Sequence, residues 1–180
     1  MKKFVATFLW GIGLAACACS ARAADLSQRL KKLGSFGDWE AYSYNQPDGK
    51  VCYTVSYPKK SEGKYTRRDD VFIMVTRWPN MANDTTHFQA GYIYKTKWKP
   101  TIRVDSEKEI TMFSTEGNAW MNNTEEDAQV IKEFQAGNQA VVVGVSSRGT
   151  KTTDTFSLKG FSKAYQAISN ACPRKASKKK

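Results

Sequence analysis

The stretch GNQAVVVGVSSRGTKTTDTFSLKGFSKAYQAISNAC, residues Gly137–Cys172, decides the fold. Val141-Val142-Val143-Gly144-Val145 is a short β-branched run bounded by turn residues, the composition of a core strand. Ser146-Ser147-Arg148-Gly149-Thr150 supplies the glycine and small hydroxyl residues that reverse a chain. The return strand runs from Thr152 to Leu158, with Phe156 and Leu158 on one face and Thr155 and Ser157 on the other. Phe161, Ala164, Tyr165 and Ile168 then recur at helical spacing, Cys172 falls one turn further along that stripe, and Pro173 stops the helix. Strand, turn, strand and closing helix form the unit against which the other segments pack.

Upstream of it the signals are mostly those of strands. Phe36-Gly37-Asp38-Trp39 leads into a strand from Trp39 to Tyr44, Asn45-Gln46-Pro47-Asp48-Gly49 turns, and Val51 to Tyr57 pairs back antiparallel with Cys52 on it. Val71-Phe72-Ile73-Met74-Val75 is the most apolar run after the N-terminal segment and predicts a central strand. His87 to Tyr94 alternates Phe88, Ala90, Tyr92 and Tyr94 on one face; Ile102 to Val104, Ile110 to Phe113 and Ala119 to Met121 read as further short strands. Leu26, Leu30 and Leu33 have helical spacing, and Pro58 to Asp70 reads as a polar surface loop. Thr124 is placed to cap a helix whose first turn holds Glu125, Glu126 and Asp127, with Ala128, Val130, Ile131 and Phe134 apolar and Gly137 as its stop. Nine strands and two helices predict a mainly β protein, an antiparallel β-sandwich or curled sheet with two packed helices, with an α+β layout as the fallback. Trp39 and Trp120 are assigned to the core.

The N-terminus has the three parts of a bacterial export signal: Lys2 and Lys3, an apolar run from Phe4 to about Ala18, and the small-residue sequence Ala21-Arg22-Ala23-Ala24. Two processing routes fit. Cleavage after Ala23 or Ala24 releases a soluble periplasmic or secreted protein, whereas Leu14-Ala15-Ala16-Cys17 has the form of a lipobox that leaves a lipidated Cys17, a membrane link without a spanning segment. The organisation is then an export signal over 1–24, one domain over 25–172 and a basic tail over 173–180. Loss of Lys2, Lys3 and Arg22 takes the formal charge from +11 to +8, which favours anionic surfaces and says nothing about fold. Cys17 and Cys19 belong to the export segment, so Cys52 and Cys172 remain for one intramolecular bridge. Such a bridge stabilises by up to ~4–5 kcal/mol in the loop-entropy model.

The chain resembles the invasion-associated locus B family of exported bacterial proteins over nearly all of the segment after the signal. The resemblance is carried by Phe36-Gly37-Asp38-Trp39, Ser61-Glu62-Gly63 with Arg67-Arg68 leading into Asp70-Val71-Phe72, Ala90-Gly91-Tyr92 and Ala119-Trp120. It continues through Ser146–Thr150, Thr153–Leu158, Gly160-Phe161 and Ala171-Cys172. Each motif is weak alone; their order and spacing make the match. The family takes its name from a member linked to entry into host red cells, so the resemblance implies an exported, non-enzymatic protein with an envelope or host partner. Members often carry a further cysteine close after Gly-Asp-Trp, where this chain has Tyr42 or Tyr44, and that departure leaves Cys52 with Cys172.

The residues themselves offer little chemistry. His87 is the one histidine, in an alternating segment beside Phe88, and two cysteines with it are too few for a closed zinc shell, so neither a metal nor a cofactor is expected. Ser61 and Lys64 stand three apart as in penicillin-binding sites, which makes a serine/lysine hydrolase the rival reading, but the companion motifs are missing. Arg148 breaks the nucleophile-elbow pattern; it reads as an anchor for a carboxylate or phosphate, or as the partner of Asp154 across the hairpin. Lys95, Lys97, Lys99 and Arg103 interleave with Tyr92, Tyr94 and Trp98, a basic and aromatic ribbon that can stack on sugars while neutralising sulfate or phosphate. Its plainer alternative is an exposed hairpin kept soluble by lysines. With the basic loop Lys59 to Arg68 it forms the expected contact surface for anionic cell-surface material or an envelope or host protein. No sequence-specific nucleic acid is expected.

Overall fold

The computed structural model describes residues 30–174. The expectations for the export signal, for lipidation at Cys17, for Leu26 and for residues 175–180 lie outside them. In chain order the elements are β1 (Lys31–Phe36), β2 (Trp39–Gln46), β3 (Gly49–Ser56), β4 (Lys60–Gly63), β5 (Phe72–Arg77), β6 (Thr85–Gln89) and β7 (Thr101–Val104). They continue as β8 (Ile110–Thr111), β9 (Phe113–Thr115), β10 (Asn118–Trp120), α1 (Thr124–Ala136), β11 (Gln139–Val145), β12 (Lys151–Ser157) and α2 (Phe161–Ala171). A seven-stranded sheet has the order β1-β2-β3-β5-β6-β10-β9, and a five-stranded sheet the order β4-β12-β11-β7-β8. Every pairing is antiparallel, and β5 is the middle strand of the larger sheet. The mainly β class with two packed helices is as the sequence predicts.

Four local expectations are corrected. Leu30 and Leu33 do not belong to a helix: β1 pairs along the free edge of β2 from Lys31 opposite Ser43, because a short helix is marginal alone while an open edge offers a ladder of partners. The polar stretch after Pro58 contains β4, which pairs with β12 through Glu62 opposite Thr153; a short charged edge strand has the composition of a loop. Met112, fully buried, divides the predicted Ile110 to Phe113 strand, so that β8 joins one sheet and β9 the other. The run from His87 to Tyr94 stops at Gln89, because Gly91 turns with φ 69°.

The core lies between the sheets and under the helices. Trp39 is edge-on to Phe161 at 4.8 Å, Phe161 to Phe134 at 5.2 Å, and the Trp39 indole donates to the Ser157 carbonyl at 2.9 Å. These contacts tie β2, α1, α2 and β12 together. Asn123, one residue earlier than predicted, caps α1 by accepting from Glu126 N–H at 2.9 Å. Asp127 is buried and accepts from Thr86 N–H at 2.6 Å, whereas Ala128 is exposed, so the apolar face is rotated from the predicted one. The Cys52–Cys172 disulfide joins β3 to the end of α2, with Cα atoms 6.0 Å apart and 120 positions apart in sequence. Among the described residues no helix is long and apolar enough to cross a membrane.

Candidate functional site

Residues 64–71 leave β4 as an irregular segment, and within it Arg68 turns inward. Its guanidinium makes two parallel bonds to Asp154 of β12, Nη1 to Oδ1 and Nη2 to Oδ2, each 2.7 Å, while Nε donates to the Ala90 carbonyl. Ser61 Oγ of β4 donates to the same carboxylate at 2.7 Å. The plane of Arg68 lies over the Tyr92 ring at 4.8 Å, with Tyr65 on it at 5.7 Å. Burial works against the charge of Arg68, but the Asp154 carboxylate outweighs it and holds the guanidinium above its ordinary value. Burial also pushes the Tyr92 phenol up, although its hydroxyl shares a 2.7 Å hydrogen bond with Thr152 Oγ1.

Two glycines make this packing feasible. Gly91 turns so close to the loop that a Cβ there would meet the Asp69 carbonyl at 2.3 Å. On β11 a Cβ at Gly144 would meet the Tyr92 hydroxyl at 2.4 Å, so only glycine lets Tyr92 and Tyr94 lie over that strand.

Above Arg68 is an open cleft of about 540 Å³. Lys64 and Arg67 stand on one wall and Ser147 and Arg148 on the other, with Tyr92 and Thr152 between them and Asp69 the acid among its lining residues. The second wall is the β11–β12 turn, closed by Ser146 N–H to the Thr150 carbonyl and Gly149 N–H to the Ser146 carbonyl. Lys64, Arg67 and Arg148 are exposed, and none is in an ion pair among the described residues. The cleft therefore presents unneutralised cations, one of them a forked guanidinium on a tight turn, beside hydroxyl donors.

The predicted contact residues divide. Arg148 does not pair with Asp154, which Arg68 and Ser61 occupy; it projects into solvent at the cleft rim. Of the expected Lys59 to Arg68 loop, Lys64 to Arg68 come together there with Tyr92, whereas Lys59 pairs with Asp38 and Lys60 with Glu62. Tyr94 is buried, bridging to Ser146, so the basic and aromatic ribbon is not continuous. Lys95, Lys97, Trp98 and Lys99 form a separate exposed turn, held by Trp98 N–H to the Lys95 carbonyl, and Arg103 projects from β7. Ser61 is bonded to Asp154 rather than to Lys64. The missed pair, Arg68 with Asp154, left a signal: Asp154 is the charge in the inward register that continues through Phe156 and Leu158.

A model of the family described as "Invasion associated locus B (IalB) protein" matches residues 39–169. The crystal structure of invasion associated protein b from Bartonella henselae superposes with a TM-score of 0.58 at 15% identity, covering 78% of this chain and 96% of that one. At that identity the likeness is one of fold. No curated protein matches the chain.

Proposed function

This chain belongs to the invasion associated locus B family, and from that premise we propose that it is an exported bacterial protein that works by binding, not catalysis. Its contact is the cleft between the Lys64–Asp69 segment and the Ser146–Thr150 turn, and its ligand is anionic cell-surface material. The carrying observation is the convergence of Lys64, Arg67 and Arg148, none of them neutralised within the described residues, while Arg68 at the base is held by its own acid. Export is supported by the three-part pattern over 1–24 and by a bridge between the two cysteines that follow it. Removal of the signal after Ala23 or Ala24 is the proposed route.

The test is retention of the oxidised protein on an immobilised polyanion and on lipopolysaccharide as salt is raised. Replacing Arg67 and Arg148 by Glu is expected to lower the eluting salt concentration with the melting temperature unchanged; the same change at Lys97 and Lys99 serves as the comparison. Retention that depends on the lysine turn and not on the cleft returns the contact to the segment from Tyr92 to Arg103. A serine-reactive probe is expected to leave the protein unlabelled, and a label lost in Ser61→Ala would overturn the non-enzymatic reading. Intact mass reports the processing site, and a diacylglyceryl addition at Cys17 would replace the soluble route with an outer-membrane lipoprotein.

A further inference from the structure

The outward face of the seven-stranded sheet carries an apolar and aromatic band, flanked by Thr85, Gln89 and Asn118, where a solvated antiparallel face is ordinarily polar. Register places Val55, Met74, His87, Trp120 and Phe113 in one row across β3, β5, β6, β10 and β9, each opposite the next. Their rings form a stack: His87 on Trp120 at 5.1 Å and Trp120 on Phe113 at 5.4 Å, within about 20° of parallel. Trp120 is thus half-exposed on this face, not in the core as the sequence predicts. Beside the row Tyr42 lies against Tyr53 at 5.3 Å and 20°, over a shallow groove of about 640 Å³ with no charged residue in its lining among the described residues. The row continues past Val55 onto Glu40 of β2, which is paired to Lys32 of the edge strand β1, and Glu116 lies in the β9–β10 turn at the other side.

We infer that this face is a homodimer interface, on which a second copy of the chain packs sheet to sheet. The distribution is that of an interface: Tyr, Trp, Phe and Met in the middle, charged groups at the rim. The size fits. Seven strands at ~4.8 Å spacing and about six residues long make a face of roughly 29 by 20 Å. For a corrugated surface that is of the order of the ~800 Å² each partner contributes to a standard interface. A copy of the same chain is the occupant that such a surface matches on itself, since two apolar sheet faces pack at ~10 Å with interleaved side chains and the two-fold relation uses one patch twice. It is also where two strongly basic chains can meet without opposing charges, because the unpaired cations of the cleft are not on it.

Sedimentation velocity of the oxidised, processed protein over a wide concentration range is expected to show a reversible monomer–dimer equilibrium. Tyr57, which lines the groove, and Phe113 are 57% and 47% exposed, so Tyr57→Lys with Phe113→Lys leaves the fold intact by circular dichroism. The pair is expected to weaken the dimer by at least about tenfold, as loss of interface aromatics does, while Arg148→Glu leaves it unchanged. A monomer at every concentration, or a dimer indifferent to the lysine pair, overturns the inference. So does a dimer that forms only when residues 25–29 are removed, which would assign the face to the chain's own N-terminal segment. Quenching of tryptophan fluorescence by a neutral oligosaccharide in a monomeric protein would assign it to a glycan, with the same consequence.

Discussion

Arg68 and Asp154, 86 positions apart in sequence, meet in a two-pronged ion pair whose side chains are 5% and 1% exposed. The pair connects the irregular segment after β4 to the strand beside it and sets the base of the cationic cleft. Taking both charges out of water is expensive, and the accompanying bonds from Ser61 and to the Ala90 carbonyl offset that cost.

Arg68→Ala should therefore destabilise by about 3–5 kcal/mol, because it leaves a buried carboxylate without its partner. The double replacement Arg68→Met with Asp154→Leu should recover a large part of that loss. Urea unfolding of the parent and the two variants checks both; an Arg68→Ala protein as stable as the parent would show that the pair has no structural role.

Reduction of the Cys52–Cys172 bridge should lower stability by about 2–5 kcal/mol, since it closes a loop of most of the described chain. Thermal melting with and without reductant should separate clearly for the parent and coincide for Cys52→Ser with Cys172→Ser. Coincident melts for the parent, with an intact mass unchanged by reductant, would mean that the bond is not formed.

Two buried acids near β6 should respond to pH with opposite signs. Burial raises the Asp127 carboxyl above its ordinary 3.8, a tendency its bond from Thr86 does not cancel and nearby Asp84 and Glu126 reinforce. Between 3.8 and that raised value the folded state holds more protons than the unfolded one, so stability falls as pH rises through the window. Asp127→Asn keeps an acceptor for Thr86 and should gain about 1 kcal/mol at neutral pH, with the gain closing as pH drops toward 3.8.

For Asp84 burial also works upward, but bonds from Arg77, Tyr165 and Arg174 prevail and hold the carboxyl below its usual range. Its stabilisation is present above 3.8 and lost as pH falls through the depressed folded value. Asp84→Asn should therefore be destabilised most at neutral pH and least in strong acid. Melting curves from neutral to acid pH for both variants decide the two signs.

The alternation of Phe156 and Leu158, the β-branched run before Gly144 and the stripe from Phe161 to Ile168 made the β11–β12 hairpin and α2 legible without coordinates. The polar β4 was not legible, because an exposed edge strand obeys no apolar alternation and is defined only by its neighbour β12. The sequence offers Asp154 only Arg148 across the hairpin, whereas the structure gives it Arg68. Proximity along the chain favours the first, and the inward turn of the 64–71 segment selects the second.

What the chain determined by itself is local and periodic: the apolar core strands, the two amphipathic helices, its basic charge, and two cysteines after the signal-like segment. Periodicity and turn chemistry act over a few residues, so they survive without a fold. Only the tertiary structure decided which cations remain unneutralised among the described residues, that Trp120 lies on an outer sheet face, and that Arg68 rather than Arg148 holds Asp154; the Cys52–Cys172 bridge is as the sequence predicts. Those outcomes depend on pairings across tens of residues, set by which sheet each strand joins.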